Sequence, residues 1–261
     1  VGATLANRGA IFATGDATIN ADNLIHSGLI QSGGTLSVTS SFAEINAAGT
    51  LAASNALSLF GDHVTSAGTL VANGGLGVTG TSDLATSGAI TSNTGAIALA
   101  SNGAALVGGS INAATTADLS GASLTFTGAL VANGHATLGA AGGNLAVSGN
   151  INTGGMLGLF AGGGTLDLSS PATLFATGGI AGSGRAINAA ATLLAPGAIT
   201  LNASASLDLS GRLATNGLTT LSAGSVLGIS NGATIDSASV NLASASLSTR
   251  GTINATGAVA L

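Results

Sequence analysis

The 261-residue chain holds 43 Gly, 46% hydrophobic and only 5% charged residues, with no Cys, Trp or Tyr and a net charge of −5. Its basic residues are four Arg without Lys, so there is no basic footprint for nucleic acid, and the lack of Cys excludes disulfides and thiolate metal sites. Apolar content this high with so little charge argues against disorder. No run approaches the roughly 18 apolar residues of a membrane helix, despite a mean hydropathy of +0.61.

The elements repeat along the chain. The phrase GTLVANGGLGV, Gly68 to Val78, returns as GALVANGHATL, Gly128 to Leu138, and in weaker form elsewhere. With its aliphatic residue as position zero, the anchors are Ile11, Ile30, Leu51, Leu70, Ile90, Ile111, Leu130, Ile151, Leu174, Leu193, Leu213, Thr234 and Ile253. Their spacing runs from 19 to 23 residues and averages about 20, a period that marks a solenoid.

Three short alternating pieces make up each repeat. The first carries an aliphatic residue at −6, such as Leu24, Val64 or Leu168. The second is the anchor with a small residue at +2, such as Ala72 or Ala132, and the third has apolar residues at +6 and +8, such as Leu76 and Val78. Alternation over so few residues predicts half-buried strands. Glycine stands at −2 in eleven repeats: Gly9, Gly28, Gly49, Gly68, Gly88, Gly109, Gly128, Gly149, Gly211, Gly232 and Gly251; Ala172 and Ala191 stand there in the other two. A corner at −2 needs positive φ or a close approach to the next coil.

Such strands cannot bury their apolar faces alone, but stacked coils put each aliphatic column over itself. The expected fold is therefore all-β: a parallel β-helix, right-handed, of about 13 coils with roughly 20 residues and three short strands each. Residues 1–261 read as a single repeat segment of a longer shaft. Two repeats slip. After Ile90 the apolar pair comes one residue late, at Ile97 and Leu99, which predicts a bulge at Asn93-Thr94-Gly95, and around Thr234 the aliphatic is displaced to Ile235. The remaining length variation is expected between +8 and the next −6, as in AGGG at Ala161 to Gly164.

Chemistry-bearing residues are few. Paired carboxylates with a stabilising Arg would suggest polysaccharide cleavage, but no Arg shares a register with an acid cluster: Arg8 and Arg250 sit at −3, and Arg185 and Arg212 fall elsewhere. Catalysis is not expected, nor any cofactor. Asp22, Glu44, Asp62 and Asp83 fall at −8, −7, −8 and −7 of four successive coils. Stacked about 5 Å apart, they would form either a cation column of oxygen ligands or solvated corner acids, and the second is the plainer reading. His26, His63 and His135 occur at −4, −7 and +5, too scattered for a zinc site, and read as surface or corner residues. Phe12 and Phe175 at +1 face outward by parity, and the interrupted Thr column at −1 lacks the partner column of an ice-binding face.

The repeated G-x-[IL]-x-[AS]-x-G-x-L-x-L phrase, in stretches such as SGLIQSGGTLSV (Ser27 to Val38) and AGTLAASNALSL (Ala48 to Leu59), resembles the haemagglutinin-type repeats of filamentous haemagglutinin-like exoproteins of the two-partner secretion family. The likeness covers essentially the whole chain. It implies a segment of the structural shaft of a large secreted adhesin at the surface of a Gram-negative bacterium, with an outer-membrane transporter as partner during export. The secretion domain's Asn-Pro-Asn-Gly signature is not found. Two alternatives accompany the shaft reading: host cell-surface or glycan contact on the shaft itself, and end-to-end self-association through open terminal coils. Membrane insertion is not expected.

Overall fold

The computed structural model describes residues 3–40 and 44–261, with only the backbone for 44–46. Among these residues there is no helix, and every strand pairing is parallel. The chain is a β-solenoid of about 13 turns at a spacing of about 20 residues. Contacts divide it into two compact units, Val1–Ala122 with Gly128–Asn133, and Ser123–Thr127 with Gly134–Leu261.

Each coil has three strand lanes. The anchor lane holds seven strands in the first unit, from Ala10–Ala13 to Ala129–Ala132, and six in the second, from Asn150–Thr153 to Thr252–Ala255. Within each unit the anchors stack in register, as Leu51↔Leu70↔Ile90 and Leu174↔Leu193↔Leu213 show. In Thr69–Ala72 the alternating residues Leu70 and Ala72 are buried while Thr69 and Val71 face outward. That parity places one side chain of each pair inside and its neighbour in water. In four coils the third lane runs on into the first lane of the next coil as one strand of 10 or 11 residues, such as Leu57–Ser66 and Leu76–Thr86. The bend is absorbed by a register shift, between Gly80 and Asp83 in one case and between Gly184 and Ala186 in another.

Crowding is the general constraint on the corner glycines at −2, and positive φ is added to it at Gly109. Positive φ among non-helical corner residues is confined to Gly109, Gly179 and Gly232. A Cβ at Gly28, Gly49, Gly68, Gly88 or Gly128 would instead lie 1.8–2.3 Å from the carbonyl oxygen of the −2 residue one coil earlier. Gly9, in the first coil, meets nothing within 4 Å. One predicted member does not belong to the column: Ile235, not Thr234, lies in register with Leu213 and Ile253, so the −2 residue of that coil is the buried Ala233. Gly232 is one step outside it, in a turn closed by Ala233 N–H donating to Ser230 O at 3.1 Å.

The same register corrects the placement of the insertions. Leu145 pairs with Leu166 and Val147 with Leu168, so Leu168 fills the −4 column and Leu166 the −6 column. Extra residues at Ser169–Pro171 and Ser230–Gly232 therefore lie between the first lane and the anchor lane, not only after the third lane. Both corners make the turn with a backbone hydrogen bond of 3.1 Å, from Ala172 N–H to Ser169 O and from Ala233 N–H to Ser230 O. At Ile90 the extra residue does sit at Asn93-Thr94-Gly95, and register resumes at Leu76↔Ile97.

A second inward column, at −4, carries the most informative departure from expectation. It contains Asn7, His26, Ala47, Ser66, Thr86 and Val107 in the first unit, and Phe126, Val147, Leu168 and Leu209 in the second, all buried. His26 is thus an interior residue, 1% exposed, and not a surface one. Its Nδ1 lies 3.2 Å from Asn7 Nδ2 and its Nε2 lies 3.0 Å from the Thr50 carbonyl oxygen, so both ring nitrogens are satisfied across neighbouring coils. Ser66 Oγ and Thr86 Oγ1 continue the column without a hydrogen-bond partner. An unsatisfied buried hydroxyl costs about 1–3 kcal/mol. Thr86→Val, which keeps the shape and removes the hydroxyl, is accordingly expected to stabilise the chain by about 1 kcal/mol, read as a higher urea midpoint; an unchanged or lower midpoint would refute it.

Candidate functional site

Among the described residues, ionisable side chains meet one another in two clusters. The first is the acidic corner. Strand register places His63 between Glu44 and Asp83 in the −7 column, with Asn23 as the equivalent residue one coil before Glu44. The four acids are therefore not one column: Glu44 and Asp83 flank a histidine, while Asp22 and Asp62 stand one position earlier. Asp22 accepts the Ala3 N–H at 2.7 Å. His63 Nδ1 lies 2.9 Å from Asp83 Oδ2, and its Nε2 lies 3.6 Å from Asp62 Oδ2. Hydroxyls of Ser82 and Thr81 donate to Asp62 Oδ1. Those two bonds, with a smaller contribution from His63, hold the Asp62 carboxyl below its ordinary range. Glu44's side chain lies outside the described residues.

What this corner offers is an exposed ladder of hydrogen bonds between coils. No group of three or more His, Cys, Asp or Glu among the described residues is placed to hold a metal ion. The three described carboxylates go to different partners: Asp22 to a backbone N–H, Asp62 to two hydroxyls and Asp83 to His63. His135 lies apart, its Nδ1 accepting the Met156 N–H at 2.8 Å one coil later.

The second cluster lies on the outward face of the anchor lane in the second unit. Here Ala214↔Asp236↔Asn254 are neighbours in successive strands. Arg212 Nε and Nη2 donate to Asp236 Oδ2 at 3.2 and 3.0 Å, and Asn254 Nδ2 donates to Asp236 Oδ1 at 2.8 Å. Counting from Thr234 would turn Asp236 inward at +2. With Ile235 at position zero it is outward at +1, diagonal to Arg212 at −1, and the ion pair that spacing concealed is formed. The groove beside it, about 580 Å³, includes Phe175, Leu194, Pro196 and Ala214.

The Asn254 amide, then Arg212, hold the Asp236 carboxyl below its ordinary value of 3.8. A carboxylate with a depressed folded-state pKa contributes stability that is present above the unfolded value and disappears as pH falls through the folded one. The contribution is small, because both partners are well exposed. Wild-type protein is expected to lose melting temperature on acidification from about pH 5 to about pH 2, and Asp236→Asn to lose less over that window. Parallel acid-melting profiles for the two proteins would count against this pairing.

The repeat phrase allows Ser at +2, but the hydrogen-bonding role of a hydroxyl there is seen only in the structure. Position +2 is often Ala, but Ser32, Ser92, Thr153, Thr215 and Ser237 occupy it too, all buried. Ser32 Oγ donates to Gly15 O at 2.7 Å and accepts the Gly34 N–H at 3.1 Å, and Ser237 Oγ donates to Gly217 O at 2.9 Å. These hydroxyls add side-chain hydrogen bonds to corner backbone that the ladder between coils already pairs, as Gly34 N–H to Gly15 O and Ala238 N–H to Gly217 O. Their signal was legible in principle, as Ser or Thr replacing Ala just before a glycine-bearing corner. Compared with known protein families, curated proteins and solved structures, the chain matches none.

Proposed function

We propose that this chain is a structural shaft segment of a large secreted bacterial surface exoprotein, an adhesin that holds other regions away from the cell. A β-solenoid is compatible with a structural shaft. The observation that carries the reading is the uniformity of the coils: within each unit the same inward columns recur turn after turn, with anchors at 0–1% exposure throughout the interior coils. Each coil needs only its neighbours, so length can be added in steps without new chemistry.

Export would proceed through an outer-membrane transporter, with an unfolded, disulfide-free chain folding coil by coil as it emerges. Partners would be the rest of its own exoprotein and, at a distance, a host surface. Deleting residues 52–111 joins Leu51 to Asn112 and removes three coils of the first unit. That variant is expected to fold with retained β-structure and to shorten by roughly 14 Å in small-angle X-ray scattering, at about 4.8 Å per coil. Collapse of the variant into an unfolded chain, or an unchanged maximum dimension, would overturn the shaft reading.

A further inference from the structure

We propose that the outward face of the anchor lane in the second unit is a binding groove for a neutral saccharide. The outward +1 column descends through Phe175, Leu194, Ala214, Asp236 and Asn254, one residue per coil. Its side chains change from aromatic to aliphatic to methyl, and then to polar. Ala214 is the low point: a methyl group between the longer Leu194 and Asp236 leaves the depression open to water. Pro196 and Asn216 bank it along the corner, and Arg212 crosses from the other side to reach Asp236. The volume of about 580 Å³ falls within the roughly 300–1,000 Å³ of small-ligand sites.

Charge decides the class of ligand. Arg212 and Asp236 neutralise each other at 3.0 Å, so an ionic ligand gains no net attraction. Asp236 is clamped at both oxygens, by Arg212 and by Asn254, which fixes the polar end before anything binds. A guanidinium has five N–H donors and a carboxamide has an acceptor as well as donors, and those not used on Asp236 are left for hydroxyl groups. At the other end, Phe175 and Leu194 offer an apolar floor. A pyranose ring matches this division, with one face of C–H groups and an edge of hydroxyls that both donate and accept.

Peptides and nucleic acid fit less well. Strand addition needs an unpaired backbone edge, and here Thr192–Ala195, Arg212–Thr215 and Thr234–Ser237 are paired on both sides. A polyanion would meet a chain of net charge −5 and a groove whose one Arg is already neutralised. The proposal goes beyond the shaft reading and does not depend on it.

The test is saturation-transfer NMR and calorimetric titration of the full chain with lactose, maltotriose and chitotriose, and with a heparin tetrasaccharide as the anionic comparison. At least one neutral sugar is expected to bind the wild type, with transfer strongest to its ring C–H protons. Ala214→Leu fills the depression with a side chain the neighbouring coil already carries at this position, so its melting temperature should stay near that of the parent. It should weaken binding by about tenfold or more, and Phe175→Ala by about fivefold, the scale of one lost contact. The proposal is overturned by no binding of the three neutral sugars up to about 10 mM, the weak end of specific recognition. Binding that Ala214→Leu leaves unchanged, or binding of heparin alone, overturns it equally.

Discussion

Gly88→Ala is expected to destabilise the chain by about 3 kcal/mol or more, the upper end of overpacking costs, while Gly77→Ala is expected to be neutral or to stabilise by about 0.5–1 kcal/mol. A Cβ at position 88 would lie 1.8 Å from the Gly68 oxygen and 2.7 Å from the carbonyl carbon and oxygen of Ala67. All three are backbone atoms, and the Gly68 oxygen also accepts the Ala89 N–H at 3.1 Å, so it cannot retreat without loosening the ladder between the two coils. A Cβ at position 77 meets nothing within 4 Å, and Gly77 lies outward in the strand Leu76–Thr86. There the only change is that the unfolded chain has less freedom to lose. Urea denaturation of both variants decides the matter. If the two midpoints move together, the close approach of coils does not explain the glycine column.

Phe126→Ala should cost about 3–5 kcal/mol, the range for emptying a buried aromatic site. Phe126 is completely buried in the −4 column and lies in register with Val147. Phe160→Ala, by contrast, should change stability by no more than about 0.5 kcal/mol, because that ring is 45% exposed. In a solenoid each coil rests on its neighbours alone, so the loss at position 126 should open the molecule locally. Hydrogen exchange should accelerate first in Leu145–Val147, the strand paired with it, well before the C-terminal anchor strands. Uniform acceleration along the second unit would contradict the local account, and a stability change equal to that of Phe160→Ala would remove the −4 column from the core.

The two aromatic residues show how far sequence reading reaches. Phe160, at +9, reads from its position as surface or corner packing, and it is exposed. Phe126 was not recognised as core, because alternation within a four-residue strand leaves open whether one inward residue or two belong to the first lane. The same ambiguity hid His26, whose burial depends on Asn7 and the Thr50 carbonyl in the coils on either side. Neither partner is near it in sequence. At the acidic corner, the recurrence of Asp and Glu was visible, but a one-position offset separates a stack of carboxylates from the alternation of Glu44, His63 and Asp83 that the register produces.

By itself the sequence determined the period, the parallel stacking of about 13 coils, the column of aliphatic anchors save the one at Ile235, and most of the corner glycines at which coils approach closely. These follow from properties of single residues repeated at fixed intervals: an apolar side chain must be covered, and a strand exposes alternate residues to one side. Only the tertiary structure decided which residue stands over which. Insertions near Pro171 and Gly232 are absorbed at a corner before the anchor lane, and that choice turns Asp236 outward to meet Arg212. It also stacks Leu168 under Val147. Side-chain chemistry in a solenoid is set by neighbours about 20 residues apart, so a slip of one residue leaves the fold intact and changes every contact at its surface.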